Sequence, residues 1–236
     1  MPATEHTSRQ YDAELEDIRL RVLRMGGLVE SQLRLAIEAL ISRDATLMQR
    51  VIDDDHRVNA MEVGIDERCN RILACRQPTA GDLRFVMTVI KTITDLERIG
   101  DEAKNIARMA QRMSQQQAFR GLPRYKEIKH AAKLVQDMLH KSLAAFAQVD
   151  LAHVAQVVLQ DKQVDEEYRA ILRILIAYMM EDPRTISIAI EILLVAKAIE
   201  RIGDHAKNMS EYIVYLIKGR DVRHATAEEI EREVAG

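Results

Sequence analysis

A chain of 236 residues with 34 basic and 37 acidic side chains, net −3, offers no basic footprint for duplex nucleic acid. Aromatic residues make up 4% and tryptophan is missing, so there is little stacking surface for single strands either. With only 9 glycines and 4 prolines in a sequence 47% hydrophobic and 30% charged, an all-β fold is excluded and helices are favoured throughout.

The opening MPATEHTSRQ carries a glutamate and no apolar run, so no signal peptide is expected. Helical periodicity predicts a first helix over 9–42. Asp44 then stands as N-cap of a second helix over 45–76, ahead of LMQRVI. Cys69 and Cys75 lie inside it without a second pair. They read as neither a zinc ribbon nor a disulfide scaffold, and they point to a reducing cytoplasm. Thr79, with Asp82 three residues on, resembles a capping box and opens a third helix over 80–114. SQQQAFRGLPR, residues 114–124, is the one clear break in composition, and the hinge between halves is placed there. A fourth helix is expected over 124–148 and a fifth over 151–181 with Asp150 as N-cap. A sixth covers 183–218, capped by Asp182 with Pro183 in its first turn. The apolar stretches ILRILIAYMM and ISIAIEILLVAKAI are broken by Arg173, Glu191 and Lys197 and fall short of the ~20 residues a bilayer span needs. The chain reads as soluble.

The sequence repeats itself. ERIGDEAKN at 97–105 returns as ERIGDHAKN at 200–208, an offset of 103 residues. RDATLMQRVIDDDHRVNA aligns with VDLAHVAQVVLQDKQVDE at an offset of 106, pairing Asp44 with Asp150 and Asp55 with Asp161. Each half is therefore three segments in the same order. The expected fold is all-α: two tandem three-helix bundles of long antiparallel helices, over 1–117 and 118–218, with 219–236 as a tail.

On a wheel of 100° per residue, Glu97 and Asp101 continue the apolar stripe of Ile90 and Ile93, and Glu200 and Asp204 continue that of Leu193 and Ala196. Carboxylates at the end of a buried stripe are costly unless paired or bound to a cation. Gly100 and Gly203 fall on the same side, where close approach by a neighbouring backbone explains them. The preceding helices offer partners at i, i+4: Asp55 with Asn59, and Asp161 with Asp165. In the first half this stripe runs on to Glu62 and Asp66, whose counterparts are Tyr168 and Leu172. Four oxygen-bearing side chains from two helices could hold a hard or borderline cation. The alternative is a polar network closed by Arg98 or Lys104. Lys104 and Lys207 could also bring an anion. Arg98 and Arg201 point away and are assigned to salt bridges with adjacent helices. Glu127-x-x-His130 and Asp137-x-x-His140 have di-iron spacing but lie on one helix, and His153, His205 and His224 read as isolated surface histidines. Catalysis finds no support; the enzymatic rival is a carboxylate-bridged dimetal oxidoreductase, and a metal-free helical scaffold is a third reading.

The duplicated ERIGDxAKN, the stretch RQPTAGDLRFVMTVIKTITDLERIGD and the opening RQYDAELEDIRLRVLRMGGLVE resemble the PhoU family over about residues 8–218. The resemblance implies two three-helix bundles, usually dimeric, in a negative regulator of the bacterial phosphate response. Such a protein acts between the high-affinity phosphate ABC transporter and the sensor histidine kinase, reaching the membrane only through these partners. Some members bind multinuclear metal clusters through E/D-x-x-x-D motifs. Those motifs fall here on Glu97 with Asp101 and Glu200 with Asp204, with Asp55, Asn59, Asp161 and Asp165 as companions. Divalent or iron-type ions are the implied cofactors, and Asn59 makes the first site slightly the weaker in charge.

Overall fold

A computed structural model describes residues 9–114 and 125–235. Six long helices follow in order: α1 (Arg9–Ser42), α2 (Ala45–Arg76), α3 (Ala80–Ser114), α4 (Tyr125–Gln148), α5 (Val154–Glu181) and α6 (Ile186–Lys218). A short α7 (Ala227–Ala235) closes the chain. α1, α2 and α3 pack on one another, as do α4, α5 and α6, so each half is a three-helix bundle. No strand occurs among the described residues.

The helix ends follow local chemistry. Asp44 Oδ1 accepts from the backbone N–H groups of Thr46 at 2.8 Å and Leu47 at 3.1 Å, capping α2. Gly219, with φ at +73°, ends α6 in the left-handed conformation. Thr79 does not form the reciprocal capping box: its hydroxyl donates to Asp82 Oδ2 at 2.6 Å, while its carbonyl accepts from Leu83.

Three expectations need correcting. Asp150 is not the N-cap of α5. Its carboxylate takes the Ala152 N–H in a tight turn after Val149, which sits at a φ of +52°, and the helix starts only at Val154. The sixth helix opens with a 3-10 turn, Pro183–Thr185, which Asp182 caps through the Arg184 N–H at 3.0 Å. The segment after Gly219 carries α7, whose start is a true capping box: Thr226 N–H donates to Glu229 Oε2 at 2.7 Å, and Glu229 N–H donates to Thr226 Oγ1 at 3.3 Å. The hinge placed at 114–124 lies, beyond Ser114, outside the described residues.

One contiguous apolar core runs through both bundles. The helices α3 and α6 meet along their length, and α1 touches α4. Pairings across the α3–α6 seam fix its direction: Arg112 chelates Glu191 at 2.9 and 2.8 Å, Arg201 meets Glu102 at 3.1 Å, and Asp95 meets His205 at 2.7 Å. Numbers rise on α3 as they fall on α6, so the two are antiparallel. Phe85 of α3 and Phe146 of α4 stack with ring centroids 6.3 Å apart. A second, smaller apolar cluster of Val154, Val158, Val214, Val222 and Ile230 lies beneath α7.

Candidate functional site

Glycine lets each repeated phrase seat deep in its bundle. A Cβ on Gly100 would meet Gln32 Oε1 at 3.2 Å and Val58 at 3.4 Å, and one on Gly203 would meet Val135 at 3.4 Å and Val164 at 3.5 Å. The neighbours are side chains of adjacent helices rather than a backbone. With α3 and α6 pressed inward, their carboxylates face the preceding helix.

In the first half, Lys104 is the hub. Its Nζ donates to Asp55 Oδ2 at 2.8 Å, across from α3 to α2, and also to Asp101 Oδ1. Burial opposes the lysine's charge, but these two bonds outweigh it and hold its pKa above the usual value. Asp55 is buried, and its second oxygen, Oδ1, has no hydrogen-bond partner. Glu97 is half-buried nearby, its pKa raised by desolvation and then by the charges of Asp101, Glu62 and Asp55. Glu62 is raised in the same way, by burial and then Asp66, against the pull of Arg98. Asn59 is exposed and stays outside this network.

The second half differs. Lys207 Nζ donates to Asp161 Oδ2 at 2.8 Å. Lys197 closes on Glu200, 2.5 Å from each carboxylate oxygen, with its ammonium 5.3 Å from the centre of the Tyr168 ring. Asp204 reaches the surface at the mouth of the site. Although the residue is exposed by area, the protein packed around its carboxyl, then Glu200 and Asp161, push its pKa up to about 6. Asp165 sits at the edge, 3.5 Å from Arg169. One turn beyond Lys207, Glu211 is buried and pushed up to about 7, chiefly by desolvation.

The structure thus gathers Asp55, Glu97 and Asp101 at one site and Asp161, Glu200 and Asp204 at the other. No group of three or more Asp, Glu, His or Cys side chains converges on one metal-sized point among the described residues. Both lysines are taken up by carboxylates, so neither is free to recruit an anion. Arg201 makes the expected bridge to α3, whereas Arg98 acts on Glu62 at longer range. His205 is not a surface residue: it is a seam contact, with Asp95 almost fully buried beneath it. Glu62 lies where the acidic stripe of the second helix was extended, whereas sequence reasoning missed Lys197 and Glu211 as members of the sites. The signal for Lys197 was its place three residues before Glu200, a helical neighbour.

No helix of the described residues is long and apolar enough to cross a membrane. The PhoU domain profile matches the chain twice, at residues 22–110 and 128–213. A Pseudomonas aeruginosa protein described as a phosphate-specific transport system accessory protein PhoU homolog is 47% identical over 232 residues, 98% of this chain and 95% of that protein. Its Escherichia coli K12 counterpart is 47% identical over 233 residues, with the same two coverages of 98% and 95%. Among solved structures, PhoU from Pseudomonas aeruginosa superposes with a TM-score of 0.85 at 47% identity, covering 89% of this chain and all (100%) of that one. The phosphate transport system regulatory protein PhoU from Streptococcus pneumoniae gives a TM-score of 0.83 at 30% identity, over 90% and 99% of the two chains.

Proposed function

The chain belongs to the PhoU domain family, and from that membership we propose that it is a regulatory accessory protein of phosphate transport. It represses phosphate uptake and the phosphate-starvation regulon when phosphate is plentiful, and it does so as an adaptor rather than an enzyme. It works in the cytoplasm as a homodimer, contacts the phosphate ABC transporter and the sensor histidine kinase, and takes no nucleic acid. The observation that carries this reading is a near-full-length likeness to relatives named for phosphate transport, with the repeated acidic phrase intact in both halves.

The family also implies bound metal; the donors are of the right type, but no three carboxylates converge on one metal-sized point among the described residues. The side chains are hard oxygen donors, and burial, then the neighbouring carboxylates, raise the pKa of Glu97, Glu62 and Asp204. Asp55 Oδ1 is a buried oxygen without a partner, and the Lys104 ammonium sits where a cation is wanted. Glu97, Asp101 and Asp55 would hold an ion in the first half, and Glu200, Asp204, Asp161 and Asp165 in the second. A bound divalent or iron-type ion supplies positive charge linking the two helices. The chain's own part is to hold α2 against α3 and α5 against α6, setting the surface presented to partners.

Deletion of the gene is the test. A phosphate-starvation reporter is expected to switch on in high phosphate when the gene is removed. A reporter that stays silent would end the repressor reading.

A further inference from the structure

The short α7 is held differently from the six long helices. It lies along α5, and its apolar contacts form a cluster of their own. Ile230 of α7 and Val222 of the connecting stretch meet Val154 and Val158 of α5 and Val214 of α6, with Val234 packed at the edge one turn after Ile230. None of these residues belongs to the main core. The apolar floor is peculiar to the second half: in the repeat, Val154, Val158 and Val214 match Met48, Ile52 and Gln111, so a polar side chain replaces Val214 and Ile52 is only half-buried.

The rim is charged and complementary. Glu228 of α7 meets Lys162 of α5 at 3.5 Å, and Glu233 meets Arg220 at 2.7 Å. Lys162, Glu228 and Arg220 are exposed, so water screens these pairs and they orient the helix more than they anchor it. Nine residues fall short of the ~12–15 that hold a helix together alone. α7 joins α6 through residues 219–226, a stretch without helix that begins at Gly219 with its left-handed φ of +73°. The helix therefore persists only while docked, and its docking rests on one small cluster. Undocking leaves the main core untouched and uncovers Val154, Val158 and Val214.

We propose that α7 is a displaceable strap over a docking groove. The groove on α5 takes a helix from a partner protein with α7's own chemistry: apolar residues at i and i+4, and acidic edges, one of them set against Lys162. Docked α7 and bound partner exclude each other, so the tail sets how readily the partner is held. The strap is independent of how the acidic sites are filled.

The test uses the full chain and, as the probe helix, a fluorescein-labelled peptide of residues 222–236, read by fluorescence polarisation. Amide exchange reports α7. In the wild type, α7 amides are expected to exchange at least about a hundredfold faster than those of the α3–α6 seam, through local opening. Ile230→Asp, which undocks the tail, should bind the peptide at least about tenfold more tightly than wild type, because its groove is open in every molecule. Val234→Asp provides a second route to the same gain if Ile230→Asp disturbs packing, with circular dichroism reporting the fold. Adding Lys162→Glu to Ile230→Asp should weaken the peptide about two- to fivefold. Wild-type α7 amides that exchange only with global unfolding would overturn the strap. A folded chain with its tail undocked that leaves the peptide unbound would overturn the groove. Light scattering tests the other occupant: a dimer that falls apart on Ile230→Asp would assign the groove to a second copy's α7 and overturn the partner helix.

Discussion

Lys104 shows how one side chain decides the state of several others. It bonds Asp55 and Asp101 while 16% exposed, so its loss would strand a buried carboxylate. Lys104→Met is expected to destabilise the chain by about 3–5 kcal/mol in chelator, measured by urea unfolding, because an uncompensated buried charge is left behind. Lys207→Met should cost less, since Lys207 is 33% exposed and water screens its pair. Glu211 gives a pH signature. Burial raises it from 4.5 to about 7, with Asp161 and Asp221 adding to the rise and Lys207 and Arg223 opposing it. A carboxyl raised on folding favours the folded state while protonated. Its contribution is complete below the unfolded value and is lost as pH rises through about 7. Unfolding free energy should therefore fall across that window by on the order of 3 kcal/mol, and Glu211→Gln should flatten the slope. The acidic pairs were legible because the phrase occurs twice. The roles of Lys197 and Glu211 were not, because a periodic pattern places a residue on a face without saying which neighbour it meets.

The helices themselves were largely readable. The limits expected for α1, α2 and α3 coincide with those found, since Asp44 and the run around Thr79 are strong local punctuation. Errors came where connections depart from simple caps, as at Val149 with its left-handed backbone, and where a short helix was passed over. The T-x-x-E signal at Thr226–Glu229 was present all along, but nine residues make a helix too short to stand without packing. That packing is the cluster around Ile230, separate from the main core. Ile230→Asp should release α7, raising amide exchange in α7 and at Val154–Val158 while the main unfolding transition keeps its cooperativity. At the α1–α4 contact, Gly26 faces the buried side chain of Leu143, leaving no room for a methyl. Gly26→Ala should cost about 1–3 kcal/mol in thermal or urea unfolding, despite alanine's better helix propensity.

Across the whole molecule, the duplication says that there are two bundles but not how they join. Seam pairings use positions where the repeat departs from itself, such as Asp95 with His205, where the matching positions are Ala198 and Glu102. Because one core continues through both halves, the described bundles are tied together by shared apolar packing. The direct test is complementation of a gene-deletion strain carrying a phosphate-starvation reporter in high phosphate. The wild-type chain is expected to restore silence, whereas a folded chain with Glu97→Ala and Asp101→Ala leaves the reporter on. A reporter that is silent without the gene, or silenced equally by both chains, would contradict the account.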